Sequence, residues 1–347
     1  MFTFKLPQVI IECIMRAPAP TPVRGGGKMV AMDDIMLHAP RKRSLAERFT
    51  RDIKRNKYIY LMIIPVAAWY LLFCYLPMYG IVIAFQDYNI VKGIFGSPWL
   101  GLENFKVFFT GVYAGRVTFN TVYLNILGLI FGFPAPIIFA LLLNEISMGP
   151  LKKIFQTISY LPFFISLVVV CGLIRIFCAK DGAISYLITL LTGKPVLMNL
   201  FDTNKYYRTL YIFSDIWKDI GMSSIIYLSA ISSINPEIYE AAVIDGAGRW
   251  ARMRYITFPG ITSTIVMLFI LALGGLMGAP LEKPLLLMNP ANSQVSDLIS
   301  TYVYRQGLTF MQFGYGAAVG LFGAVINFIV LFAANKTAGK LTGYNIF

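Results

Sequence analysis

The sequence predicts an all-α membrane protein built as a six-transmembrane-helix bundle, and three observations predict it. First, 57% of the 347 residues are hydrophobic, 14% are charged, and mean hydropathy is +0.66. Soluble domains carry about a quarter charged residues. Second, apolar runs near the roughly 20 residues that cross a bilayer as a helix recur along the chain. Third, the Lys and Arg residues behind the net charge of +13 cluster beside those runs rather than inside them. Helices are the open elements that cross lipid with every backbone group paired. Retention on cytoplasmic loops accounts for the positive excess, so no nucleic-acid partner is expected.

Residues 1–57 read as a cytoplasmic, largely flexible basic tail. Val9–Met15 is a short apolar run interrupted by Glu12, too short to span and unlike a cleavable signal. Residues 17–27 are rich in Pro and Gly, and Met29, Met32 and Met36 are alternative starts. Arg41, Lys42, Arg43, Arg48, Arg51, Lys54, Arg55 and Lys57 directly precede the first span and place it by the positive-inside rule. The membrane domain then fills 58–347, with spans at Tyr58–Met78, Asn120–Leu143, Thr157–Phe177, Tyr211–Ser232, Thr262–Gly278 and Tyr315–Ala334. An even count returns the C-terminus to the cytoplasm. Lys152, Lys153, Arg249, Arg252, Arg254, Lys336 and Lys340 all fall inside, and the outer loops are 86–119, 178–210 and 279–314.

Catalytic chemistry is poorly provided for. Cys13, Cys74, Cys171 and Cys178 are scattered without a CxxC spacing, and His38 is the single histidine. No metal, cofactor or catalytic residue is expected from such a set. No GxxxxGK[ST] phosphate loop is present, because Gly339-Lys340 is followed by Leu341 and position 334 is Ala. A multi-span membrane enzyme needs a carboxylate or His constellation at an interface, and only acids of the fourth span are available. An ion-coupled carrier predicts an internal repeat or broken helices, and no convincing repeat is evident. Both classes stay open as alternatives.

The inside loop 234–259 carries the densest signal. Asn235 suits an N-cap and Pro236 the first helical position. Glu237 and Glu240 lie near a helix N-terminus, which favours negative charge. Asp245-Gly246 offers a helix stop and a tight turn. A second short helix then runs to Pro259, which opens the fifth span. Two short helices joined by a turn make a projecting knob, and small Ala241, Ala242, Ala247 and Gly248 let another protein's backbone approach.

Glu240-Ala-Ala, Gly246, Ile256 and Pro259 resemble the "EAA" loop of bacterial ABC-type import permeases, and Glu240–Ala247 matches the fuller Glu-Ala-Ala-x-x-Asp-Gly-Ala form. Met253 stands where Phe is common and Phe258 where Leu is usual, with apolar bulk kept. Trp99–Phe109, Asn120-Thr-Val-Tyr, Ala140–Glu145 and Gln156–Pro162 are similar to segments of carbohydrate permeases, and the last two to the branch working with lipoprotein-type binding proteins. The resemblance covers roughly 45–347. It implies that Glu240, Ala241, Ala242, Asp245, Gly246, Ala247, Ile256 and Pro259 form a cytoplasmic coupling helix and its flank, seated in a groove of a separate ATP-binding cassette ATPase dimer. It also implies a second permease subunit (this chain again or a paralogue), an extracellular sugar-binding lipoprotein, and an oligosaccharide moved by alternating access. Permeases for other solutes share the motif's shorter core, so a non-sugar solute stays open.

Asp215, Lys218 and Asp219 interrupt the fourth span. A charge at mid-membrane costs roughly 2.5–3.5 kcal/mol on insertion scales, so such groups face a partner or an aqueous path. Lys218 lies three residues from Asp215, so one reading is an ion pair between them that orients the helix. The other is a sugar-facing patch, with Trp217 stacking on a pyranose and the charged groups bonding hydroxyls. Tyr211, Gln312 and Asn327 are further candidates for that path. Glu282 and Lys283, followed by Pro284, read as a solvated outer loop, with contact to the binding protein as the alternative.

Overall fold

The computed structural model describes residues 55–342 apart from 147 and 279. The expectations for Cys13, His38 and the basic run through Lys54 lie outside the described residues. Among those described, the backbone is helical, and the β pairing is one isolated bridge between Gln86 and Trp99. The chain divides into two compact units, Met1–Tyr70 and Leu71–Phe347.

The described part of the first unit is helix α1 (Lys57–Tyr70), whose apolar side chains are exposed all round. A helix apolar on every face suits lipid or a protein interior. The second unit holds α2 (Val112–Asn144), α3 (Gly149–Phe164), α4 (Leu167–Phe177), α5 (Asn204–Ser232), α6 (Pro236–Ile244), α7 (Arg249–Gly260), α8 (Thr262–Leu273), α9 (Glu282–Leu287), α10 (Ile299–Val303) and α11 (Phe313–Thr342), with shorter helices between them.

Lys57–Phe85, Val112–Asn144 and Phe313–Lys340 are long and apolar enough to cross a membrane. Two bent pairs reach that length only when each is taken as one span: α3 with α4, bent by 99°, and α7 with α8, bent by 58°. The expected span Thr157–Phe177 is therefore not one straight helix. Pro162 sits in a tight turn at Leu161–Phe164, and Ile165 and Ser166 are extended at the break. The expected Thr262–Gly278 stops as a helix at Leu273. α5 has 29 unbroken residues, about 43 Å at 1.5 Å per residue; Asp215, Lys218 and Asp219 interrupt it, and the expected span Tyr211–Ser232 is not among the helices apolar enough to cross a membrane.

Proline shapes the bends. Widened π-type turns at Leu71–Tyr75, Gly128–Gly132 and Met253–Thr257 each end two residues before a proline, Pro77, Pro134 and Pro259. Proline has no N–H to donate and clashes with the carbonyl four residues back, and a wider turn relieves both.

α5 is the axis of the second unit. Its first half shares a core with α4 and α9 through Cys171, Tyr207, Tyr211, Ile212 and Leu287. Its second half packs on α2 and the start of α8 through Ile137, Ala140, Tyr227, Ile231 and Ile261. A third core joins α2, α10 and α11 through Val117, Ile299, Tyr302 and Val319. At Gly221 a Cβ would come within 2.1 Å of the Ser159 carbonyl oxygen, so glycine permits the close crossing of α3 and α5.

Candidate functional site

The loop 234–259 folds into two short helices joined by a tight turn. Asn235 caps α6, its Oδ1 accepting from the Glu237 backbone N–H at 3.1 Å, and Pro236 takes the first helical position. At the other end Gly246 adopts φ +79°, its N–H donates to the Val243 carbonyl at 3.0 Å, and the Ala247 N–H reaches back to Ala242 at 2.8 Å. Those two bonds and the left-handed glycine constitute a Schellman stop. The Tyr239 hydroxyl lies 3.0 Å from Oγ1 of buried Thr257 and ties α6 to α7.

The signature residues take different places on this knob. Glu240 lines a cleft of about 550 Å³ with Glu145, Tyr239, Arg249 and Arg252. Ala241, Asp245 and Gly246 are exposed, while Ala242, Ala247 and Ile256 are half-buried. Pro259 lies in the last turn of α7 and is exposed. Apolar side chains outside the signature dominate the surface: Ile244 is 86% exposed, Trp250 77% and Tyr255 73%. Clustered exposed apolar groups mark a surface that meets another molecule. Sequence reasoning missed these three, although large apolar residues in a charged loop are a visible signal.

A second site lies halfway along α5. Asp215 and Asp219, one turn apart, line a cleft of about 160 Å³ with Ile212, Ile216 and Ser223 on one wall and Gly128, Gly132 and Pro136 of α2 on the other. The ion pair expected between Asp215 and Lys218 does not form. Lys218 turns to the break between α3 and α4, donating to the Phe163 carbonyl at 3.0 Å, and stands 3.9 Å from Asp219. Asp215 pairs at 2.5 Å with Lys283, which is 2% exposed rather than on a solvated loop. The Lys283 ammonium also donates to the Tyr211 carbonyl at 2.7 Å and to the Ser214 hydroxyl at 2.9 Å. Tyr211 is buried beneath it, and Trp217 is half-exposed; neither lines the cleft. Asn327 accepts from the Met277 N–H at 2.6 Å and so supports the turn after α8.

A third cluster joins α2, the start of α5 and the turn after α10. Buried Asp297 accepts from Arg305 at 2.7 Å and from Thr301 at 2.9 Å, with Arg116 at 3.6 Å. Arg208 donates to Asn120 Oδ1 at 2.9 Å, and Asn120 Nδ2 donates to the Asp297 carbonyl at 3.2 Å. Two guanidiniums, Arg305 and Arg116, thus share one carboxylate, Arg208 joins them only through Asn120, and the Arg208 guanidinium lies over the Tyr123 ring at 4.5 Å.

Comparison with known proteins places this geometry. A family profile described as "Binding-protein-dependent transport system inner membrane component" matches residues 128–338, which take in the α5 cleft and the whole knob. The chain is 43% identical over 300 residues to the polygalacturonan/rhamnogalacturonan transport system permease protein YteP of Bacillus subtilis strain 168, covering 86% of this chain and 93% of that protein. It is 40% identical over 296 residues to protein LplB of the same organism, covering 85% and 92%. A chain from the crystal structure of a bacterial alginate ABC transporter, in complex with an alginate pentasaccharide-bound periplasmic protein, is similar with TM-score 0.79 and 37% identity, covering 86% of this chain and 100% of that one. The long helices and the capped knob between α5 and α8 therefore have a family, and this chain belongs to it: the binding-protein-dependent transport system inner membrane components.

Proposed function

We propose that this chain is one transmembrane half of an ATP-driven importer that carries an oligosaccharide or polysaccharide fragment into the cell by alternating access. The observation that carries the reading is the capped helix α6, which holds the Glu240–Ala247 signature between α5 and α8 and exposes Ile244 at its tip. In this reading α6 and α7 seat in a groove of a separate ATPase, with Ala241, Ala242 and Ala247 at the contact, Glu240 braced by its own cleft, and Ile256 and Pro259 holding α7. The six spans are Lys57–Phe85, α2, the α3–α4 pair, α5, the α7–α8 pair and α11. The N- and C-termini lie in the cytoplasm, and residues 1–57 are a cytoplasmic tail. Two knobs serve two ATPase subunits, so a second permease completes the pore, and an external sugar-binding lipoprotein delivers the substrate. The bent pairs alone would also fit an ion-coupled carrier; the family match favours ATP coupling. Purified complex in sealed vesicles is expected to accumulate labelled oligosaccharide with ATP and binding protein present. Accumulation that survives without ATP and collapses with the ion gradient would overturn the reading.

The α5 cleft is the substrate path in this account. Asp215 and Asp219 bond sugar hydroxyls in the cleft, Lys218 stands beside Asp219, half-exposed Trp217 meets a pyranose face only where the path leaves the cleft, and buried Tyr211 supports Lys283 rather than touching sugar. A hydrogen bond to a charged acceptor is worth about 1.5–3 kcal/mol. Asp219→Asn is therefore expected to raise the half-saturating sugar concentration for uptake by roughly tenfold or more; an unchanged value would remove Asp219 from the path.

An acidic oligosaccharide is favoured by one further feature. Arg116 and Arg305 flank the carboxylate of Asp297 and Arg208 joins the cluster through Asn120, on the side this account assigns to the exterior, and guanidinium suits carboxylate recognition. Relatives named for polygalacturonan and for alginate import agree with it. Each cleft acid has an ammonium beside it, so the path carries little net charge against such a substrate. Arg208→Gln is expected to cut uptake of the acidic sugar by about tenfold, the lower end of a charged hydrogen bond, while sparing its methyl ester. Equal losses for both would contradict the charge preference.

A further inference from the structure

Charged side chains along the seam between α2 and α5 are paired, with one exception. Asp215 holds Lys283, Asp219 has Lys218 beside it, and Asp297 holds Arg305 with Arg116 at longer range. Arg208 is half-buried and has no carboxylate partner among the described residues. Its one hydrogen bond goes to a neutral amide oxygen, Asn120 Oδ1, and its Nε is buried without a partner. A guanidinium carries five donors. One partly withdrawn from water without a counter-ion is under-satisfied, and a carboxylate is its complement.

Two rings flank that guanidinium. Phe119 and Tyr123, one turn apart on α2, are stacked with centroids 5.5 Å apart at 21°. Arg208 lies 4.5 Å from the Tyr123 centroid and 5.9 Å from that of Phe119. Phe119 is 59% exposed and Tyr123 37%, so both keep open ring surface. Such a ring receives the C–H face of a pyranose. Arg208 is also held in place, because Asn120 in turn donates to the Gln294 and Asp297 carbonyls. The position continues the α5 cleft. Asp215 and Asp219 follow Arg208 by about two and three turns on one face of α5, which puts Arg208 about 10 Å from the level of Asp215, toward the start of that helix.

We propose that Phe119, Tyr123 and Arg208 form an outer subsite for one hexuronate unit, the ring pair taking the sugar face and Arg208 its carboxylate. An oligosaccharide that spans about 10 Å, at 1.5 Å of helix per residue, then occupies this subsite and the α5 cleft together. The subsite deepens the reading of that cleft as the path of an imported acidic oligosaccharide, and it rests on that reading.

The test follows ATP-dependent uptake by the complete reconstituted transporter, at sub-saturating loaded binding protein, of a galacturonate tetrasaccharide and of its methyl ester. Arg208→Lys keeps the charge and loses the planar fork. It is expected to slow uptake of the acid about tenfold, the lower end of a charged hydrogen bond, and to leave the ester within about twofold. Phe119→Leu removes stacking, which is blind to charge, and is expected to slow both sugars about threefold to tenfold. A reporter cysteine, Gly115→Cys, lies one turn from Phe119 where an added Cβ meets no atom within 4 Å. It is expected to react with a water-soluble maleimide above the wild-type background. No reaction there would mark a lipid-facing surface and overturn the proposal. Equal losses of acid and ester in Arg208→Lys, or unchanged uptake of both in Phe119→Leu, would overturn it as well. A wild type that imports acid and ester alike, or neither, would sink the acidic-oligosaccharide reading itself, whereas a wild type that prefers the acid with unaffected variants sinks the subsite alone.

Discussion

Replacing Gly246 with aspartate is expected to abolish ATP-dependent uptake while leaving the subunit inserted in the membrane. Gly246 sits at φ +79°, and a Cβ built there meets no atom within 4 Å. The damage is therefore to backbone conformation, not packing. An L-residue in left-handed helical geometry costs roughly 1–2 kcal/mol. That cost falls on the two bonds that stop α6, Gly246 to Val243 and Ala247 to Ala242. The turn between α6 and α7 opens, and the contact surface offered to the ATPase loses its shape; the added negative charge compounds the loss at an exposed tip. Asn shares Asp's tolerance of positive φ but carries no charge, so Gly246→Asn is expected to keep a measurable part of the uptake. Uptake in vesicles, scored against the amount of inserted subunit, checks both. Normal uptake by Gly246→Asp would remove the coupling role from the knob.

Asp297→Leu is expected to be the most destabilising of the changes considered. The Asp297 side chain is 2% exposed and satisfies Arg305, Thr301 and, at longer range, Arg116. Removing one partner of a buried ion pair costs about 3–5 kcal/mol. Both arginines keep partial access to solvent, which discounts the effect to the low end of that range. A loss of about 3 kcal/mol lowers the unfolding midpoint of the purified complex by roughly 5 °C or more. Asp297→Asn retains an acceptor for the Thr301 hydroxyl and for one guanidinium, and is expected to lose about half as much. An unchanged midpoint for Asp297→Leu would show that the arginines find other partners.

The knob was legible because its signals are local. Asn235, Pro236 and Gly246 each report on backbone within two or three residues of themselves, and the structure shows the cap, the first turn and the left-handed stop they announce. Helix as the chain's element was legible too, since composition alone forces it. The break at Ile165–Ser166 was not, because hydropathy runs on unbroken through Thr157–Phe177 and only Pro162 hints at it. Lys283 was misread for a related reason. Its acceptors lie 68 or more residues earlier in the chain, and the Pro284 after it suggested a loop. Asn327 looked like a polar wall of the path until its bond to Met277, 50 residues away, appeared. Long-range satisfaction of single polar groups leaves no periodic trace, so pattern reading places such residues on the wrong surface.

The central claim is that this chain is half a pore, worked through 234–259 by an ATPase it does not contain. Isolating the native membrane complex through this chain and identifying the accompanying chains tests it most directly. An ATP-binding cassette subunit in two copies, together with a second permease, is the expected result, with contact to the ATPase trapped by crosslinking from a cysteine at Ile244. Recovery of the chain alone, or only with copies of itself and with no ATPase, would contradict the account.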